Sequence, residues 1–174
     1  IEMEGVEDVR KRRILDLGPA QEAMLARGDR VEGVLAEVGP DLAGEAQLET
    51  ILARRDEAAA SADPARFSLG SVKVMVDGVA ENFTAAMHEC YRDHHGHPTD
   101  NRGISFFDPN EMADFVTALD GAGVQVHFHA LGDRAVTEAL DAVERALATN
   151  GQMGNRHHLA HLQPLEDAHQ QLLA

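Results

Sequence analysis

The stretch Val124-Gln125-Val126-His127-Phe128-His129-Ala130-Leu131-Gly132-Asp133 decides the fold. Its apolar, β-branched part carries two histidines at alternate positions and breaks at a glycine. An amphipathic run follows, with Val136, Ala139, Leu140, Val143 and Leu147 on one stripe up to Asn150-Gly151. The pattern predicts a strand, a tight turn and a helix. Side chains alternate along a strand, so His127 and His129 share a face near its carboxyl end, where parallel α/β enzymes hold their catalytic groups. A plainer reading of the same pair is two hydrogen-bonded core histidines.

Upstream, residues 71–78 read as a strand apolar enough to be buried on both faces, except for Lys73. Two readings of that lysine are open. Its ammonium reaches the sheet edge or pairs with Asp77, or it lies inside a barrel as a desolvated or carboxylated ligand. Asp108-Pro109-Asn110-Glu111 is a helix start, and Gly121 ends that helix. Further back, residues 45–60 read as a helix, 30–38 as a strand and 19–27 as a short helix. Downstream, residues 157–163 read as a last strand, with His157, Leu159 and His161 on one face and His158, Ala160 and Leu162 on the other. Strands and helices in this alternation predict a parallel β/α architecture.

Between these elements runs a long connection, residues 79–107, containing Glu81, Asn82, Thr84, His88, Tyr91 and the cluster His94-His95-Gly96-His97. Connections of this length are uncommon in compact domains and often line active sites. Neighbouring histidines on a polar loop are usually solvated; a metal site is the alternative.

Thirty acidic against fifteen basic residues give a formal charge of −15, which disfavours nucleic acid and anionic membrane surfaces. The single cysteine, Cys90, allows no internal disulfide, and no signal peptide or long apolar span is visible, so a cytoplasmic location is expected. Seven of the ten histidines fall in three clusters, which directs attention to metal chemistry.

Four stretches in order carry a family resemblance. They are residues 71–78 around Lys73, Glu81-Asn82-Phe83-Thr84-Ala85-Ala86-Met87, His127-Phe128-His129-Ala130-Leu131-Gly132-Asp133-Arg134-Ala135 and Arg156-His157-His158-Leu159-Ala160-His161-Leu162-Gln163. Together they resemble the amidohydrolase superfamily, most closely its family 3 branch, which contains N-substituted formamide deformylase-like proteins. The resemblance implies a (β/α)8 TIM-type barrel with one or two divalent ions, zinc being the expected metal. It makes Lys73 the carboxylated, bridging lysine of the fourth strand, His129 the ligand of the fifth and His161 that of the sixth. These three form the expected catalytic and metal set, while His127, Asp77, Glu81 and Asn82 are the expected substrate-side residues. The implied reaction is hydrolysis of a carbon–nitrogen, amide-type bond in a small molecule by a metal-activated water.

The family's His-x-His on the first strand and aspartate on the eighth have no counterpart here. The expectation is therefore a partial barrel, about strands three to six, over residues 29–174, preceded by an acidic helical segment over 1–28. A second reading is a catalytically inactive half-barrel that acts as an assembly module. In either case a second copy, a complementary barrel half or rearranged terminal helices are expected to cover the open strand edges.

Overall fold

A computed structural model of the chain describes residues 31–38, 45–61 and 67–162, together with Ala23, Met24 and Arg27. Most of the expected helix over 19–27, most of the acidic segment over 1–28, and everything after Leu162 lie outside the described residues. Four strands, β1 (Val31–Val38), β2 (Phe67–Met75), β3 (Gln125–Ala130) and β4 (His158–His161), form one sheet in the order β1-β2-β3-β4. Every pairing is parallel. Helices α1 (Glu45–Ser61), α2 (Pro109–Gly121) and α3 (Asp133–Asn150) provide the crossovers.

Local chemistry accounts for the helix ends. The Asp108 side chain accepts hydrogen bonds from the Asn110 and Glu111 amides at 2.9 and 3.3 Å, and Pro109 occupies the first turn of α2, where no amide donor is needed. Helix α3 ends at Gly151 with φ 75°, its amide returning to the Leu147 carbonyl at 3.0 Å.

Register sorts the sheet into two faces. Val38, Val74, Phe128 and Leu159 are aligned across all four strands, and the first three are buried beneath the helices. Met112, Val116 and Leu119 of α2, Val136 and Ala139 of α3, and Ile51 of α1 complete this core. Each fully buried side chain of this size contributes about 1.5–3 kcal/mol. The next rung, Glu37, Lys73, His127 and His158, lies on the opposite face and is wholly polar.

Several expectations need correction. Strand β2 begins at Phe67 and ends at Met75; beyond it the Val76 amide bonds to the His129 carbonyl and the Val76 carbonyl accepts the Phe106 amide. It is not buried on both faces, because Ser71, Lys73 and Met75, on the side away from the described helices, remain half-buried. The apolar stripe of α3 also stops short: Leu147, in the last turn, is 53 % exposed. Finally, β4 does not keep simple alternation. His161 and Leu162 take left-handed backbone angles, φ 85° and 46°, which interrupts the period of two.

Candidate metal centre at the carboxyl ends of β3 and β4

On the face away from the three described helices the polar rung brings His127 and His158 into ring contact, centroids 4.2 Å apart, and joins Lys73 Nζ to Glu37 Oε1 at 3.4 Å. The lysine therefore does not pair with Asp77. Its partner is Glu37 on the neighbouring strand, at the same register. Burial, followed by the charges of His158 and Lys73, lowers the pKa of His127 and favours its neutral form.

Two residues further along β3, His129 is buried and its ring stands edge-on to that of His161, with centroids 4.6 Å apart. The left-handed backbone at His161 brings its ring to His129 instead of aligning it with His157. His157 faces elsewhere: its Nδ1 accepts the Val126 amide at 3.0 Å and its Nε2 meets Asp120 Oδ1 at 3.0 Å. His129 Nε2 lies 3.3 Å from the Gly78 carbonyl. A carbonyl can only accept, so Nε2 is the donor in this contact, and in the neutral ring Nδ1 is then the nitrogen with the lone pair.

Asp77 does not face a ligand space. It is fully buried, and its carboxylate accepts the amides of Ala86 at 2.9 Å, Leu131 at 3.0 Å and Gly132 at 2.9 Å. Glu81 and Asn82 lie on an exposed 3-10 turn, Ala80–Asn82, just beyond β2, with Asn82 Oδ1 accepting from the Thr84 hydroxyl at 2.5 Å. The connection carrying them is strapped to the fold. Asp133 accepts the His88 amide at 2.8 Å, and Arg134 donates to Met87 O, Ser105 Oγ and Arg102 O.

Three glycines approach the Thr84–Ala86 segment closely. A Cβ on Gly78, Gly103 or Gly132 would lie 1.9 Å from Thr84 Oγ1, 1.8 Å from Ala85 O or 1.9 Å from Ala86 O respectively. No side chain fits in such gaps. The His94, His95 and His97 rings sit on an exposed turn held by Asp93, whose Oδ1 accepts the His95 and His97 amides.

Among the described residues, no three His, Cys, Asp or Glu side chains gather into a metal site. The donor chemistry nonetheless suits a divalent cation of the zinc type: two adjacent imidazoles, one with its Nδ1 lone pair available. As an ammonium Lys73 is no ligand, and it joins the set only when carboxylated. Sequence reasoning missed two contributors to this face, Glu37 and His158. Both become visible only through strand register.

Comparison with solved structures bears on the fold. A metal-dependent hydrolase from Pyrococcus furiosus matches with TM-score 0.56 and 22 % identity, over 88 % of this chain and 34 % of the other. One from Pyrococcus horikoshii OT3 matches with TM-score 0.57 and 19 % identity, over 88 % and 33 %. The chain thus has the fold of part of these hydrolases. The sequence profile of the amidohydrolase family, family 3, matches residues 10–174, and the chain belongs to that family. Protein LONG AFTER FAR-RED 3 of Arabidopsis thaliana is 36 % identical over 97 residues, and the putative amidohydrolase YtcJ of Bacillus subtilis (strain 168) is 31 % identical over 99. Each match covers 56 % of this chain but only 16 % and 17 % of the relative, so the chain spans about a sixth of the curated proteins it resembles.

Proposed function

We propose that this chain carries part of the metal centre of a hydrolase acting on carbon–nitrogen, amide-type bonds of small molecules. The observation that supports this most directly is the pairing of His129 and His161, rings 4.6 Å apart, at the carboxyl ends of adjacent parallel strands. In this reading His129 offers Nδ1, His161 offers its imidazole, and Lys73, as a carbamate, adds an oxygen donor. A divalent cation of the zinc type supplies Lewis-acid polarisation of a carbonyl and makes water acidic. The remaining residues hold or orient. His127, kept neutral beside the pair, contributes a hydrogen-bonding imidazole, and Glu81 and Asn82 present polar groups to solvent just past β2.

The expected test result is one equivalent of zinc bound by the purified chain, lost in His129→Ala and in His161→Ala while the circular dichroism of both variants is unchanged. Zinc content equal to wild type in both variants would remove the assignment. Hydrolysis of N-formyl and N-acyl amines, measured with the zinc-loaded chain, then asks whether these residues suffice for turnover.

A second reading rests on a different observation. Among the described residues β1 and β4 each pair on one side only. In that reading the chain acts through those open edges, assembling with a second copy or a complementary barrel half. A chain that binds no zinc and sediments as a dimer favours it.

A further inference from the structure

Among the described residues the Asp77 carboxylate is the most deeply buried charge and pairs with no cation; its oxygens collect three backbone amides from two segments: Ala86 on the long connection, and Leu131 and Gly132 on the turn after β3. Leu131 is two residues beyond His129. The next residue after Asp77, Gly78, supplies the carbonyl against which His129 Nε2 rests at 3.3 Å. One residue therefore fixes His129 from two directions. Its side chain holds the backbone on which β3 ends, and its peptide neighbour meets the imidazole.

The turn has no substitute for these bonds. Gly132 stands at the N-cap of α3 without any side-chain cap, and the Arg134 and Ala135 amides of the first turn go instead to the carbonyl of Ala86, at 3.1 and 3.4 Å, the residue whose own amide Asp77 holds. Gly132 must also lie so near the Ala86 carbonyl that a Cβ there would sit at 1.9 Å. We infer that Asp77 is the positioning residue of the candidate centre: its buried carboxylate, by gathering the Ala86, Leu131 and Gly132 amides, sets the orientation and tautomer of His129. Partners of this kind behind a ligating histidine typically change metal affinity about 10–100-fold when removed. The inference rests on the metal reading only for that affinity, and the ring state of His129 tests it separately.

The experiment is a long-range 1H–15N spectrum of the histidine rings of the full chain, metal-free, followed by titration with zinc. Wild-type His129 is expected as a single Nε2–H tautomer. In Asp77→Asn the signal is expected to average between tautomers, and zinc affinity to fall at least about tenfold. Asp120→Asn, which disturbs a buried carboxylate at the other end of the sheet, serves as the control and should lower the melting temperature without changing either readout.

A wild-type His129 that is averaged or Nδ1-protonated overturns the inference. So does an Asp77→Asn variant with unchanged tautomer, or a control that shifts His129 equally. If Asp77→Asn does not fold, the wild-type ring state decides, together with amide exchange: Ala86, Leu131 and Gly132 must be among the slowest amides, and fast exchange there overturns the inference. Wild type that fails to bind zinc while Asp77→Asn still alters the tautomer removes the metal reading and leaves the positioning role standing.

Discussion

Asp120 Oδ1 and His157 Nε2 meet at 3.0 Å, tying the end of α2 to the residue that precedes β4. Burial alone would push the Asp120 carboxyl up. Hydrogen bonds from Asn150, Asn155 and His157 outweigh burial and hold it below the usual range. A carboxyl whose folded pKa is depressed stabilises the protein above its unfolded value, about 3.9, and loses that contribution as pH falls through the folded value. Between pH 5 and pH 3 the wild type should therefore lose more thermal stability than Asp120→Asn. Equal losses would contradict the assignment. Asp120→Ala removes the acceptor of three half-buried donors, of which Asn150 and Asn155 keep backbone acceptors, and should cost about 1–2 kcal/mol at neutral pH in a denaturant titration.

Lys73 separates stability from function. Its pair with Glu37 has side chains 31 % and 61 % exposed, so solvent screens it and its contribution is at most about 1 kcal/mol. Lys73→Met should fold with nearly unchanged stability, since methionine suits a half-buried strand position. If the lysine serves the metal centre, zinc affinity in that variant should drop by about tenfold or more. Wild-type affinity would remove Lys73 from the ligand set.

The glycines make a graded series. Gly132→Ala and Gly103→Ala place a Cβ 1.9 and 1.8 Å from backbone carbonyls that cannot move aside, so each should destabilise by about 3 kcal/mol or prevent folding. Gly96 also has positive φ, 83°, but nothing lies within 4 Å of its missing Cβ. Gly96→Ala should cost only the backbone strain, about 1 kcal/mol. Comparable melting temperatures for Gly96→Ala and Gly132→Ala would refute the close-approach argument.

Arg134 reaches Met87 O at 3.3 Å, Ser105 Oγ at 2.8 Å and Arg102 O at 3.2 Å, and Ser105 in turn donates to Glu138. Arg134→Ala should speed amide exchange across residues 87–105 while leaving the β2 and β3 amides as protected as before. Uniform acceleration across the chain would show that the strap supports the whole fold instead of the connection.

Much of this architecture was legible in residues read alone. The Asp108-Pro109 start of α2, the Gly132 break and the parallel β/α order depend on short-range pattern, and the structure keeps them. The paired placement of His129 and His161 was reached through resemblance. The face of β4 was not legible, because left-handed angles at His161 and Leu162 cancel the alternation on which the reading relied. Nor was the partner of Lys73: Glu37 is on another strand, and only the parallel register aligns the two. Asp77 looked like a ligand-facing acid for a similar reason. Its three amide donors belong to residues whose backbone direction no local pattern reveals.

The Asp77 knot also bears on the order in which the chain assembles. Its bonds to Leu131 and Gly132 close loops of 54 and 55 residues, whereas the bond to Ala86 spans only 9. Loop-closure entropy delays the long-range contacts until β2 and β3 already lie side by side. The Ala86 amide can reach Asp77 early through its short loop, whereas the turn beyond His129 acquires its final shape only when the long loops close. A chain halted before that point would have a formed sheet and an unformed turn beyond His129.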